Sequence, residues 1–549
     1  MTRTPAPQAS TWQGSAEGYP QRWRVLSVLV VSLLVVVLDN TVLNIALPTI
    51  QRDLDASQGE LVWAVDSYIL AFAALLFTWG VIGDRVGRKR VLIIGLAIFG
   101  LASAACAFSG GAGMLIAMRV VMGIGGAAVM PTTLAIITVV FPPHERGKAI
   151  GVWGGAVGAA VALGPVLGGV LLQNPTWTAW LTGNDWGSVF LINVPIVLVG
   201  LIAIWRVVPE TRNPEPRRFD VSGLIVSVVG LVLLVYGIIH ASEAMDWLSP
   251  GVIVPIVAGI AILAGFIFLE ARSDHASFDV SLFRNRGYAI SLTAVSLSFF
   301  ALSGITFTLP FYLQIVRGYD TLTTGLCFLP FALGQLAAAP RSAAIVLRFG
   351  YRKVITTGLV LVAIALAGLT QVEPQTPLLL VLVDFLVFGT GMGLVIAPAS
   401  TVMQNVLPLA RVGAGSAVQN TVRQVAGALG VAIIGTVLGT RYATSIEPGL
   451  QSLPSQVPDE AKAIAGESLV ATNALLQQAA SQGMPVAIVD TLRDQAYQAF
   501  LSAAHLTTLI SLSVVVIAAL AVGFGLPFIE PPRRQEAPAQ SGAGEGSTA

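Results

Sequence analysis

Charge is what this chain lacks most. Asp, Glu, Lys and Arg make up 11% of its 549 residues, against about a quarter in an ordinary soluble domain. Hydrophobic residues make up 55%, the mean hydropathy is +0.79, and apolar segments run nearly from end to end. Too little solvating charge remains for a water-soluble enzyme, and the apolar sequence is too extensive for a short peripheral anchor. Cysteine is equally scarce. Cys106 and Cys327 both lie in apolar runs, so neither a disulfide framework nor a cysteine metal site is available. Also missing are H-E-x-x-H, G-x-S-x-G, P-loop and C-x-x-C patterns, and the polar connections are too short for a nucleotide-binding domain. No cofactor, metal, catalytic residue or nucleic-acid partner is therefore expected, and direct drive by ATP is not expected either.

What is present is apolar length. A hydrocarbon core of about 30 Å takes ~20 residues of helix. Fourteen such runs occur, at roughly 25–47, 60–82, 91–110, 113–136, 148–172, 187–207, 221–240, 251–269, 288–310, 324–345, 354–371, 377–399, 413–438 and 503–526. The predicted class is an all-α integral membrane protein with 14 transmembrane helices. Lys and Arg set its orientation, because they concentrate in cytoplasmic connections. With residue 1 inside, 22 of the 30 basic residues fall on the cytoplasmic side and five on the other. An even span count with both termini cytoplasmic follows, in a multi-pass protein of the cell membrane. Trp63, Trp177, Trp180, Trp186 and Trp247 mark the outer interface, and Trp23, Trp79 and Trp205 the inner one. The polar segment 1–24 lacks the apolar core and cleavage site of a signal peptide and is expected to remain in the mature protein. Segment 440–500, with Pro448, Pro454 and Pro458, reads as an external loop with some amphipathic helix, and 527–549 as a disordered tail.

The connection after span 2 reads GVIGDRVGRKR, residues 80–90. Gly87 permits a sharp turn, and Asp84 can meet the positive end of the next helix or a neighbouring arginine. Arg85, Arg88 and Lys89 would suit any basic cytoplasmic loop. The whole pattern from Gly80 to Lys89 between two hydrophobic spans, however, resembles the signature of the major facilitator superfamily. Arg119 followed by Gly123 and Gly125 resembles that family's second motif. Span 5, from Gly151 to Gly169, contains GPVLGG at 164–169 and resembles the antiporter motif of exporters, with Ala160 where a glycine is usual. The motif residues are Gly151, Gly164, Pro165, Gly168 and Gly169. Small residues there also suit close helix packing alone, and Pro165 allows a bend.

Span 1 ends LDNTVLNIALP (38–48) and span 6 opens WGSVFLINVP (186–195). With fourteen spans, these segments resemble the drug:proton antiporter branch that includes EmrB- and QacA-type exporters, over almost the whole chain. The resemblance implies a major facilitator fold, with one six-helix bundle at 25–207 and a second at 288–526. An inserted two-helix hairpin (spans 7 and 8) occupies 208–287. It also implies export of amphipathic, cationic or aromatic compounds by alternating access, driven by inward proton movement. The expected partners are a small-molecule substrate, protons and the lipid bilayer, and the protein is expected to be a monomer. A weak repeat agrees with two related bundles. RFGYRK at 348–353 echoes 85–89 at an offset of 263, with Leu347 in place of the acid, and FGTGMG at 388–393 echoes span 4 without its arginine.

Ionisable residues within spans are costly and therefore functional candidates. Asp39 lies about 13 Å below the outer end of span 1, and Asp66, Arg119 and Asp384 lie at about 9–11 Å in theirs. Spacing alone places one acidic layer in the outer half. Asp39 is the candidate proton carrier, coupled to conformation if Arg119 approaches it in one state only. Asp66 and Asp384 are candidates for substrate or cation binding, or plain helix residues near the headgroups. Arg423, deep in span 13, is read as bonding backbone carbonyls and stabilising its bundle. Transport of an endogenous metabolite, antibiotic or lipid fits the same residues, and a membrane-embedded enzyme or a non-transporting scaffold is the different-class alternative.

Overall fold

Hydrocarbon offers no water to backbone N–H and C=O groups, so a spanning segment must close its own hydrogen bonds, and a helix does so internally. The computed structural model of the protein describes residues 18–212, 221–244, 247–272, 280–405, 412–453, 457–481 and 484–529, and among these it is helical with no strand. Twelve helices among the described residues are long and apolar enough to cross a membrane. The two remaining expected spans, 148–172 and 221–240, coincide with the helices Pro143–Gln173 and Val221–Ala244.

The first bundle consists of α1 (Arg22–Leu54), α2 (Gln58–Val86), α3 (Arg88–Ala107), α4 (Ala112–Val140), α5 (Pro143–Gln173) and α6 (Ser188–Val207). Then come α7 (Val221–Ala244) and α8 (Pro250–Arg272), packed on each other as a hairpin. The second bundle holds α9 (Arg286–Val316), α10 (Thr321–Phe349), α11 (Tyr351–Leu369), α12 (Leu378–Asn405), α13 (Val412–Gln451) and α14 (Val486–Gly525). In the first bundle α1 packs on α4, α5 and α6, α2 on α4, and α3 on α4 and α6. In the second, α9 packs on α12, α13 and α14, α10 on α12, and α11 on α12 and α14. Each pairing of one bundle recurs in the other, eight helices later. The bundles meet along α2–α13 and α5–α10, which exchange under the same relation, and α7 lies along both α2 and α13.

Small residues set these approaches, as membrane helices require when apolar packing competes with lipid. A Cβ on Gly123 would strike the Tyr68 carbonyl, and one on Gly389 the Phe331 carbonyl. Gly95 meets Gly125 and Ala128 in the same way that Gly358 meets Gly391 and Val395. The turns between α2 and α3 and between α10 and α11 place Gly87 at φ 123° and Gly350 at φ 80°, where L side chains are strained. Ser57 and Glu60 form a capping box that starts α2.

Both ends of the described chain lie at one end of the molecule, together with the 85–90 turn. The Tyr19 N–H donates to the Val140 carbonyl over 2.9 Å, and Arg352 reaches the Gly523 carbonyl. At the far end, α13 and α14 are 40 residues each, about 60 Å. Segment 440–500 is therefore mostly helical rather than a loop. α13 runs to Gln451, α14 begins at Val486, and helices Asp459–Glu467 and Leu469–Ser481 lie between them. The physical reason is an apolar stripe that these helices share. Leu450, Leu469, Leu476, Val489 and Leu492 are buried, and the Tyr442 and Thr472 hydroxyls stand 2.6 Å apart.

The bundles touch toward this far end. A Cβ on Gly435 of α13 would strike the Val62 side chain of α2, and one on Gly325 of α10 the Pro165 carbonyl of α5. Thr321 donates to the Gly169 carbonyl over 3.1 Å, and Gln314 to the Ile45 carbonyl over 2.9 Å. Cysteines at Val62 and Gly435, in a chain with Cys106→Ala and Cys327→Ala, should form an intramolecular disulfide on mild oxidation. Protease fragments cut between α6 and α9 would then stay together until reduced. Fragments that separate without reductant would contradict this contact.

Candidate functional site

Asp39 sits on the buried side of α1 with Val35, Val36, Val42 and Leu43. Its Oδ2 lies 2.6 Å from Nη1 of Arg119 on α4, and neither side chain has any exposed surface. The other carboxylate oxygen accepts from Nδ2 of Asn193 on α6 over 2.8 Å. The same Nδ2 also donates to Ser103 Oγ over 3.0 Å, and Ser103 in turn donates to the Phe190 carbonyl over 2.8 Å. Arg119 Nε donates to the Ala64 carbonyl over 3.0 Å, and its guanidinium lies 4.3 Å above the Tyr68 ring. Tyr68 donates its hydroxyl to the Val36 carbonyl over 3.3 Å. Arg119 Nη2 is buried with no hydrogen-bond partner. Helices α1, α2, α3, α4 and α6 thus converge on one ion pair. Desolvating two charges is repaid only when geometry is good and the remaining lone pairs are bonded, which is what Asn193, Ala64 and the Tyr68 ring supply.

Asn193, Ser103 and Tyr68 are site residues that charge counting does not find. The available signal is an asparagine inside the apolar segment 186–195, where an amide needs a partner.

The 80–90 turn is tied down from two sides. Arg88 donates to Asp84 Oδ1 through Nε (2.9 Å) and Nη2 (2.8 Å), and through Nη1 to the Ala135 carbonyl of α4 over 3.1 Å. The segment after α6 clasps the other side. Lys89 Nζ donates to the Trp205 carbonyl, and Arg212 Nη2 to the Val86 carbonyl, each over 2.8 Å. A Cβ on Gly87 would also run into the Glu210 carboxylate, and one on Gly80 would stand 3.7 Å from Pro131. Arg85 is exposed.

The α5 motif lies between α1 and α10. Cβ atoms on Gly164 and Gly168 would strike Thr41 and Val42 of α1, and one on Gly169 would strike Thr321 and Leu322 of α10. Thr41 and Val42 are two and three residues from Asp39. Gly151 is helical, and its surroundings lie outside the described residues.

The expected single acidic layer does not form, because equal depth does not mean a shared face. Asp66 is fully buried on α2, with no hydrogen-bond partner for either oxygen. It lies one turn from Val62, on the side of α2 that meets α13. Asp384 turns away from the centre, and its carboxylate stands where a Cβ on Gly368 of α11 would go. Arg423 does not bond backbone carbonyls. It lies 4.9 Å over the Phe299 ring, and its Nε is buried without a partner.

Two bundles of matching connectivity, joined along two exchangeable helix pairs and carrying a buried acid–base pair, are the architecture of a membrane transporter. Comparison with known proteins gives the same class. Residues 29–431 match the family model described as Major Facilitator Superfamily, and the chain belongs to that family. It is 33% identical over 502 residues to the multidrug efflux pump LfrA of Mycolicibacterium smegmatis, covering 91% of this chain and 95% of that protein. It is 32% identical to the tetracenomycin C resistance and export protein of Streptomyces glaucescens, over 84% of each. Its fold is similar to that of a bacterial homologue of the human lysosomal transporter Spinster, solved inward-facing and unoccupied. The TM-score is 0.61 at 16% identity, over 92% of this chain and 98% of that one.

Removing one partner of a buried pair costs about 3–5 kcal/mol, because the other charge is left uncompensated. Arg119→Leu should therefore lower the thermal unfolding midpoint of the detergent-purified protein, and adding Asp39→Asn should recover part of the loss. A double variant no more stable than Arg119→Leu would mean that the two side chains do not interact energetically. At the turns, Gly87→Ala should destabilise more than Gly350→Ala. Both positions carry positive-φ strain of about 1–3 kcal/mol, but only Gly87 also meets a side chain, whereas Gly350 has open space around it. Equal midpoints for the two variants would remove Glu210 from this account.

Proposed function

We propose that the protein is a proton-coupled exporter of amphipathic drugs or metabolites, with Asp39 as proton carrier and Arg119 as its conformation-dependent counter-ion. The observation that carries this reading is the position of the ion pair. Asp39 lies within one helical turn of Thr41 and Val42, the two residues on which Gly164 and Gly168 of the antiporter-like segment rest. Any sliding of α5 against α1 as the bundles rock is felt at the carboxylate, and through it at Arg119 and Asn193. With a proton on Asp39, the pair with Arg119 loses its Coulombic part and the helices around it can reorganise. Once the proton leaves, the pair re-forms. A charge crossing 100 mV supplies about 2.3 kcal/mol, which is enough to drive such a cycle uphill for substrate.

Asp66 is the second candidate, since a bare charge at a fully buried and unpartnered site is costly. It either takes a second proton or pairs with a cationic substrate. Asp384, set between α11 and α12, is a weaker candidate. The 80–90 turn serves as a conformational latch held by Asp84–Arg88 and by the 205–212 clasp. In this reading α5 and α7 also cross the bilayer, giving fourteen spans, both termini are cytoplasmic, and the helical extensions of α13 and α14 are external. The printed functions of the relatives, multidrug efflux and tetracenomycin C export, support aromatic drug-like substrates.

Proteoliposomes with an imposed pH gradient test the coupling. Asp39→Asn should still bind substrate while uphill efflux and substrate-driven proton movement disappear. Normal proton-coupled efflux by this variant would pass the role to Asp66. The topology is tested by labelling a cysteine placed at Lys462. Reaction from the cytoplasmic side alone would overturn the orientation.

A further inference from the structure

The second bundle also contains an arginine at mid-depth, and nothing in the first bundle's chemistry accounts for it. Arg423 lies 11 residues into α13, about 16 Å from its start. Among the described residues it makes no ion pair and no hydrogen bond; its only contact of that kind is the face of Phe299, 4.9 Å from the guanidinium carbon. Its side chain is half-buried, and Nε is buried without an acceptor.

The neighbours form a site of definite chemistry. Gln419, Arg423 and Gly427 recur at four-residue spacing and so share one stripe of α13. On one side, Gln419 Nε2 donates to Ser400 Oγ of α12 over 2.8 Å. On the other, a Cβ on Gly427 would stand 3.0 Å from Ser303 Oγ of α9, and Phe299 lies one turn before Ser303. The stripe therefore faces α9 and α12 and offers a guanidinium fork, an amide and two hydroxyls beside an aromatic ring. It offers no carboxylate. At the offset of 263 that relates the two halves, Arg423 corresponds to Ala160, Gly427 to Gly164 and Leu302 to Asp39. The second bundle thus holds a cation where the first bundle holds none, and has lost the acid that could neutralise it. Planar donors of this kind match anionic oxygens in a bidentate manner.

We propose that Arg423, with Gln419 and Ser303 beside it and Phe299 behind it, binds the anionic oxygen of an aromatic transport substrate, so that the protein takes aromatic acids and zwitterions as well as cations. This rests on the export reading for the word transport, but the binding itself can be measured without it. The probes are fluorescein, an anionic xanthene, and rhodamine 123, a cationic relative of the same ring system. Binding is read by fluorescence polarisation on the full-length protein in lipid nanodiscs at constant pH and ionic strength.

The wild type should bind both dyes. Arg423→Gln should raise the fluorescein Kd at least tenfold and shift the fluorescein-to-rhodamine preference by a similar factor. Arg423→Lys, which keeps the charge without the fork, should fall between. Should Arg423→Gln fail to fold, Gly427→Ala crowds Ser303 instead and should weaken fluorescein at least threefold more than rhodamine 123. Equal weakening of both dyes, no weakening of either, or a wild type that does not bind fluorescein would overturn the proposal. So would complete displacement of fluorescein when gluconate is replaced by chloride, which would make this a small-anion site. Absence of rhodamine 123 efflux by wild-type proteoliposomes would count against export and leave the dye preference standing.

Discussion

A carboxylate and a guanidinium with no exposed surface, 2.6 Å apart inside an apolar bundle, set the terms for the first half of this molecule. Neither charge is tolerable there alone, so the surrounding helices are constrained to keep them together and to bond what is left over. α6 must present Asn193, α2 must turn the Ala64 carbonyl and the Tyr68 ring toward Arg119, and α3 must place Ser103 to hold the amide. The glycines of α4 follow from the same demand. Arg119 reaches α1 and α2 because Gly123 and Gly126, one and two turns along, let α4 lie against Tyr68 and Phe72. A bulky residue at Gly123 would push the α4 backbone away from α2 and lengthen the contacts that compensate the charge.

The second half keeps the packing and loses the central ion pair. At an offset of 263, Gly87 and Gly95 correspond to Gly350 and Gly358, and Tyr68 to Phe331. At 266, Gly123 and Gly125 correspond to Gly389 and Gly391, and Arg119 to Phe385. Where one bundle stacks a guanidinium on a phenol, the other packs aromatic rings, Phe385 on Phe328 with centroids 5.7 Å apart and Phe331 on Phe388 with centroids 5.4 Å apart. Helix approach is thus preserved by small residues while the chemistry diverges. This is what a duplicated scaffold permits when side chains at the centre carry function and side chains between helices carry shape.

How much of this could be read from residue order alone follows from the kind of information each feature needs. The helices are legible because hydrocarbon favours long apolar helices, and each of the fourteen apolar runs coincides with a helix, twelve of them long and apolar enough to cross a membrane among the described residues. The 80–90 turn is legible because glycine at positive φ and an acid four residues before an arginine leave a local pattern. The extensions of α13 and α14 are not, because they are amphipathic and hydropathy over a span-length window sees only their polarity. Depth along a helix assigns Asp39, Asp66 and Asp384 similar heights in their spans, but only azimuth decides which of them meet. Asp39 turns to Arg119, Asp66 to the α13 side and Asp384 to Gly368. Asn193 is on view in its segment, yet its partner lies 154 positions away. The general habit of buried arginines points Arg423 to backbone carbonyls, and only geometry reveals that it has an aromatic face instead.

In the proposed cycle, rocking of one bundle on the other changes the α2–α13 seam, and α7 lies across that seam and touches both helices. A rigid strap there would block any such motion. Toward α13, the Ile238 carbonyl accepts from Thr436 over 3.2 Å in a buried position. The buried residues of α7, Leu231, Val235, Ile238 and Ile239, are apolar. In a bilayer, an apolar surface that parts from a neighbouring helix is covered by lipid tails at little cost, whereas a broken buried hydrogen bond finds no replacement there. The hairpin is hydrogen-bonded to the second bundle at Ile238 and lies along α2 of the first, so any reorientation of the two halves has to be accommodated at α7.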